Sequence, residues 1–117
     1  MSEDTPVLDT LSEMTAASID HGSLEAREHM LTRLAALVAV DAPAMSYLVN
    51  VGTAADVGVT LEDVQGVLVA VAPIVGAPRV VSAAGNIAET LDFVIDVAVA
   101  EAVAEAEAEA ELASEEA

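Results

Sequence analysis

Apolar residues recur at intervals of three and four along five successive stretches of the chain, and short polar, proline or glycine breaks separate these stretches. This spacing lines apolar side chains along one face of a helix. The pattern predicts an all-α protein, a compact bundle of about five or six helices. The predicted helices cover residues 7–19, about 24–40, about 43–57, 61–73, and from about 78 onward.

The breaks between these stretches carry recognisable helix-end signals. Ser23 is placed to cap the second predicted helix. Asp41 is placed to cap the third, with Pro43 in its first turn, where a missing N–H costs nothing. Gly58 follows the third helix as its expected left-handed terminator. Thr60 and Asp63 have the spacing of a short capping box at the start of the fourth.

The fourth predicted helix, 61–73, is apolar on nearly all sides. Such a helix is expected to be buried inside a bundle or an oligomer. Residues 74–78, which contain a glycine and a proline, are predicted to form a connector to the fifth helix. We therefore expect the apolar surface of the last two helices to exceed what one small bundle can cover, and the chain to form homo-oligomers.

The last part of the chain changes character, and alanine alternates there with glutamate. Both residues favour helix, but glutamates four apart repel one another. We expect the fifth helix to end around residue 104 and an exposed tail to follow. The predicted organisation is an N-terminal segment with a short helix, a helical domain and an acidic tail, at 1–22, 23–98 and 99–117.

The charge of the chain restricts its partners. Twenty-one acidic residues stand against three arginines, Arg27, Arg33 and Arg79, giving a formal net charge of −18 over 117 residues. Nucleic acid and anionic membrane surfaces are excluded as partners, because both bind through clustered cations. Each arginine is expected to find a carboxylate, within a subunit or across an interface. No cluster with the spacing of metal ligands is visible, so neither a metal nor another cofactor is predicted.

The chain contains no cysteine, which excludes disulfides and thiol nucleophiles. The first ten residues are acidic and polar, unlike a secretory signal. The apolar stretch 64–78 is shorter than the ~20 residues a membrane span needs, and it contains two prolines. These features predict a cytoplasmic protein.

The stretch from about residue 24 to residue 91 carries a family resemblance, chiefly in two segments. Residues 33–40, RLAALVAV, are similar to the apolar helix before the active centre of the carboxymuconolactone decarboxylase-like superfamily, which includes the alkylhydroperoxidase D-like proteins. Residues 57–87 are similar to its Gly-Val-Thr turn, acidic helix start, Ala-Pro and Gly-x-Pro sequence. The resemblance implies an all-α, alkylhydroperoxidase D-like fold and assembly as homotrimers or hexamers.

The peroxidase branch of that superfamily uses a Cys-x-x-Cys, a histidine one turn later and a glutamate on the preceding helix. Counting back from Gly58, the resemblance puts the cysteine positions at Pro43 and Ser46, the histidine position at Asn50, and the glutamate position near Met30 or Leu31. All four parts are replaced by other residues, so thiol peroxidase chemistry is excluded.

Five polar residues remain as a candidate pocket: Ser46, Tyr47, Asn50, His29 and Arg33. Ser46 and Asn50 share a helix face, and they also fit plain structural roles, Ser46 in packing and Asn50 in an interhelical hydrogen bond. His29 and Arg33 fit an exposed charged stripe with Glu25, or a pocket wall where Arg33 would bind a carboxylate. We therefore expect a non-redox oligomeric protein that is structural or binds a small organic molecule. The alternative is a lyase or isomerase acting on a small carboxylated ring or lactone.

Overall fold

The computed structural model describes residues 5–116, so residues 1–4 of the predicted N-terminal segment and residue 117 of the predicted tail lie outside it. The described chain forms five α-helices and no strand, which confirms the all-α class. The helices are α1 (Pro6–His21), α2 (Ala26–Ala39), α3 (Ala44–Asp56), α4 (Leu61–Val75) and α5 (Ala77–Glu116).

The core lies where α2 packs against α3, α4 and the first half of α5. Its most buried members are Val38, Ala42, Tyr47 and Ala83. Two of the four are alanines, which let helix backbones approach closely but bury little area each. Larger, partly buried side chains surround this centre: Leu34, Leu37, Leu68, Val71, Val75 and Ile87.

Two of the predicted helix ends are wrong in detail. Ser23 does not cap α2; Glu25 is the N-cap residue, and it makes no side-chain capping bond. Asp41 does not cap α3, where Pro43 is the N-cap residue. Asp41 instead ends α2 with φ 56°, a left-handed conformation that aspartate tolerates better than most residues. Its N–H donates to the carbonyl of Val38, which closes the last turn of α2.

The predicted signals before α4 are confirmed, but the predicted end of α4 is wrong. Gly58 has φ 85°, and Thr60 and Asp63 form the reciprocal capping box. However, α4 continues through Pro73, and the connector to α5 is Gly76 alone. Gly76 has φ 87°, which permits the abrupt change of direction. Pro78 falls in the first turn of α5, where its missing N–H has no helical partner to lose.

The fifth helix continues to Glu116 and does not end near residue 104. From Ile95 to Glu115 every side chain is exposed. Forty residues of helix span about 60 Å, which accounts for the 63 Å long axis of the described chain. The radius of gyration is 18.3 Å, against about 13 Å for a compact domain of this length. The acidic segment is therefore an extended, solvated helix.

Much apolar surface stays uncovered in the single chain. No residue of α4 is buried, although its sequence predicted burial, and Val69 and Ile74 are 74% and 86% exposed. No residue of α1 is buried either, and its Leu8 and Met14 are more than half exposed. Within residues 5–116 no helix is long and apolar enough to cross a membrane.

Candidate functional site

A row of polar side chains on α5 fixes the turn between α2 and α3. Arg79 donates to the carbonyl of Ala39, and Ser82 donates to the carboxylate of Asp41 at 2.6 Å. Further along the same face, the side-chain amide of Asn86 donates to the carbonyl of Ala42 at 3.2 Å. The hydroxyl of Thr90 donates to the carbonyl of Ala44 at 3.0 Å. These bonds hold the start of α3 against α5, and with it Tyr47.

Tyr47 lies on the wall of a partly enclosed space between the helices. This space, the Tyr47 cavity, has a volume of about 90 Å³. A site for one water needs roughly 10–15 Å³ on a comparable measure, so the cavity has room for several waters or one small organic molecule. All helices except α1 contribute to its wall, which consists of Met30, Arg33, Leu34, Leu37, Tyr47, Asn50, Val51, Ala54, Val59, Leu61, Val64, Ile87, Thr90 and Leu91.

Most polar side chains on this wall form hydrogen bonds with backbone carbonyls. Arg33 donates to the carbonyl of Thr15 on α1 at 3.3 Å, and Asn50 donates to the carbonyl of Ser46 at 2.8 Å. Thr90 is within hydrogen-bond distance of Ala44 and of its own helix. The Tyr47 hydroxyl is different, because it is buried and has no partner among the described residues. Every other residue on this wall is apolar or has a polar group that already forms a hydrogen bond.

Burial raises the pKa of Tyr47 above its ordinary value of 10.0, and the negative charge of Asp41 raises it further. Both causes act by disfavouring the phenolate. The hydroxyl therefore keeps its proton at neutral pH and serves as a hydrogen-bond donor. It is a poor general base.

A second space, the His29 cavity, lies between the end of α1, the start of α2 and the end of α3. Its volume is about 170 Å³, and its wall consists of Ile19, Leu24, Ala26, His29, Met30, Thr53 and Val57. The Nε2 atom of His29 is buried without a hydrogen-bond partner in the described chain. Met30, which is only 4% exposed, belongs to the walls of both cavities.

The structure brings together three of the five predicted pocket residues. Tyr47, Asn50 and Arg33 line the Tyr47 cavity. Ser46 is partly buried and lines none of the cavities described here, and His29 belongs to the neighbouring one. Asn50 bonds within its own helix, so the expected interhelical hydrogen bond is wrong.

The other predicted positions also have clear places. Pro43, at the first cysteine position implied by the family resemblance, is exposed at the start of α3. At the implied glutamate position, Met30 is buried and Leu31 is half-buried. Of the two alternatives for His29 and Arg33, the pocket wall agrees better with the structure than the exposed stripe, because both side chains are partly buried beside cavities.

Among the described residues of the single chain, one arginine has a carboxylate partner. Arg27 pairs with Asp63. The backbone N–H of Thr60 lowers the pKa of the Asp63 carboxyl, and the bond from Arg27 lowers it further. Arg33 and Arg79 donate to backbone carbonyls instead. The Arg33 guanidinium therefore bonds a backbone carbonyl, although its sequence position suggested that it would bind a carboxylate.

Sequence reasoning missed the side of the Tyr47 cavity that comes from later helices. Val64 of α4 and Ile87 and Thr90 of α5 face the same space as Tyr47. Apolar periodicity marks Val64 and Ile87 only as core positions, and no motif in the sequence distinguishes a cavity wall from a filled core. Thr90 is a polar residue on an apolar helix face, which was the one available signal.

No family model matches this chain, and searches of curated proteins and of solved structures find no match either. Within residues 5–116 no group of three or more histidine, aspartate or glutamate side chains could hold a metal ion.

Proposed function

We propose that this chain is a cysteine-free, non-redox protein of the carboxymuconolactone decarboxylase-like type that binds a small, mostly apolar organic molecule in the Tyr47 cavity and works as a homo-oligomer. The single observation that carries the binding proposal is the buried, unpaired hydroxyl of Tyr47 on the wall of this cavity. An unpaired buried hydroxyl costs about 1–3 kcal/mol, and a ligand with one acceptor would recover it.

The chemistry of the wall favours a neutral ligand. Ligand pockets are typically apolar with a few polar groups that fix orientation, and here those groups reduce to the Tyr47 hydroxyl. Arg33 is the only cation on the wall and is bonded to the carbonyl of Thr15. No carboxylate lines the cavity. A charged ligand would lose its hydration without full compensation, whereas a small ketone or ether would not.

The binding test compares cyclohexanone with cyclohexane, which is similar in shape but has no acceptor. We expect saturable binding by titration calorimetry, with the ketone about three- to tenfold tighter, as one hydrogen bond predicts. Tyr47→Phe should remove the advantage of the ketone and keep binding of the hydrocarbon.

A volume test completes this experiment. Ala54 lines the cavity, whereas its neighbour Ala55 is exposed. Ala54→Leu should fill the cavity and abolish binding, and Ala55→Leu should leave it unchanged. If neither probe binds wild-type protein saturably, or if Ala54→Leu binds as well as wild type, the proposed binding function is refuted.

The alternative, a lyase or isomerase acting on a small carboxylated ring or lactone, is supported by one observation. Arg33, Tyr47 and Asn50 share one cavity wall, so a cation, a proton donor and an amide stand close together. Decarboxylation of a lactone that is lost in both Arg33→Met and Tyr47→Phe would support this function. Turnover that survives both substitutions would remove the site from the reaction.

A further inference from the structure

The described residues contain two buried side-chain atoms that can form hydrogen bonds but have no partner, and both lie beside the cavities described above. They are the Tyr47 hydroxyl and the Nε2 atom of His29. Tyr47 lines one cavity, His29 lines the other, and Met30 lines both. Buried polar atoms without partners are uncommon in native proteins. Since Met30 lines both cavities, one cause can account for both atoms.

Met30 is suited to be a movable partition between the cavities. Its unbranched side chain has three rotatable bonds, so it can change shape at small cost. It is 4% exposed, and it stands in α2 one residue after His29, so a shift of this single side chain would join the two spaces. The joined site would have an unpaired hydroxyl in one compartment, an unpaired imidazole nitrogen in the other, and an apolar passage between them.

We propose that the Tyr47 and His29 cavities are two compartments of one binding site, separated by Met30, for a neutral, elongated molecule with a hydrogen-bonding group at each end and an apolar middle. One end accepts the proton of the Tyr47 hydroxyl. The other bonds Nε2 of His29, which donates or accepts according to the ring tautomer. Neither wall has a carboxylate, and the chain carries a net charge of −18, so a charged end would be poorly matched. This inference rests on the proposed binding function and specifies its ligand class.

The test uses two probe series of equal length, n-alkanols and the α,ω-alkanediols, measured by calorimetry on the full chain. A short diol buries its second hydroxyl in the apolar passage and should bind less tightly than the matched alkanol. A diol long enough to reach His29 gains a hydrogen bond there and should bind about three- to tenfold tighter than the matched alkanol. The ratio of the two affinities should therefore reverse at one chain length.

Matched variants test whether Tyr47 and His29 each bind one end of the diol. Tyr47→Phe and His29→Phe should each abolish the diol advantage, while His21→Phe, at the exposed histidine of α1, should preserve it. Met30→Ile stiffens the partition through β-branching and should weaken the long diols more than the short alkanols. Should His29→Phe fold poorly, His29→Gln keeps a polar group and should retain part of the advantage.

Three results would overturn the inference. If alkanols bind and no diol exceeds its matched alkanol at any length, the two cavities do not act together, and the simpler binding function stands. If the diol advantage survives His29→Phe, the second compartment is elsewhere. If neither series binds wild-type protein saturably, both this inference and the proposed binding function fail.

Discussion

Tyr47 is the only tyrosine of the chain, and its surroundings make it a clean spectroscopic probe. There is no lysine and no cysteine, so among the side chains only Tyr47 titrates around pH 10. Burial and the charge of Asp41 raise its pKa. Above the ordinary pKa of about 10 the unfolded chain releases this proton while the native chain keeps it. The free energy of unfolding should therefore fall as the pH rises from about 10 towards the raised pKa.

Phenolate absorbance followed against pH, with urea unfolding at the same pH values, measures this prediction. Tyr47→Phe should flatten the alkaline fall in stability. Asp41→Asn should lower the pKa of Tyr47 but leave it above the ordinary value, because burial is the larger cause. A native Tyr47 that titrates at or below pH 10 would show that the side chain is not buried as described.

At neutral pH the same hydroxyl predicts an unusual mutational effect. Most substitutions of buried residues destabilise, but Tyr47→Phe removes a hydroxyl that has no partner in the described chain. We expect the free energy of unfolding to rise by about 1 kcal/mol, measured by urea unfolding at one fixed protein concentration. A loss of stability would mean that the hydroxyl has a partner in solution, such as a bound molecule or a second subunit.

At the scale of elements, the start of α4 is the best-defined helix end in the chain. The Thr60 hydroxyl accepts from the N–H of Asp63, and the Asp63 carboxylate accepts from the N–H of Thr60 and from Arg27 of α2. This arrangement caps α4 and also ties it to a second helix. The predicted capping box is therefore also a tertiary contact, which the sequence did not indicate.

Thr60→Ala should lower the free energy of unfolding by about 1 kcal/mol, the usual cost of losing an N-cap side chain. Thr32→Ala is the matched control, because Thr32 is an exposed threonine within α2 whose hydroxyl bonds only its own helix. Alanine is the better helix former there, so the control should be neutral or slightly stabilising. Equal losses from both substitutions would contradict the capping role.

The helix ends show which features can be predicted from the local sequence. Helix existence, the Gly58 end and the Thr60 start follow from periodicity and from short-range hydrogen bonds, which the sequence displays directly. The start of α2 was wrong at Ser23 because residues 20–25 offer several polar positions, and Glu25 begins the helix without a side-chain capping bond. The start of α3 was wrong at Asp41 because a distant contact holds this residue at the end of α2. Asp41 is held by Ser82, forty-one residues later. The Tyr47 cavity could not be predicted from the local sequence either, because residues of four helices form its wall.

At the scale of the whole molecule, the single chain leaves large apolar side chains uncovered on α1 and α4, and exposed apolar patches commonly mark interaction sites. Val69 and Ile74 of α4 and Leu8, Leu11 and Met14 of α1 are all more than half exposed. An open groove of about 350 Å³ also lies between α1 and the α2–α3 face. Together these surfaces support the proposal that the chain is completed by further copies of itself.

Strong like-charge repulsion opposes the proposed assembly, so we expect the assembly to depend on salt concentration. Each copy carries a net charge of −18. The Debye length falls from about 10 Å at 0.1 M salt to about 3 Å at 1 M, so added salt screens the repulsion while apolar contacts remain. We expect light scattering to show a homo-oligomer at micromolar concentration, and its dissociation constant to fall as sodium chloride is raised.

Substitution on α4 locates the interface in the same experiment. Ile74→Glu places a charge on the most exposed large apolar residue of α4 and should weaken assembly, because a buried unpaired charge is costly. Leu112→Glu makes the same change on the extended part of α5, where Leu112 is 60% exposed, and should leave assembly intact. Dissociation caused equally by both variants would point to general repulsion and not to an α4 interface. The mass of a single chain at every salt concentration would refute the oligomer, and the exposed apolar face of α4 would then need another partner.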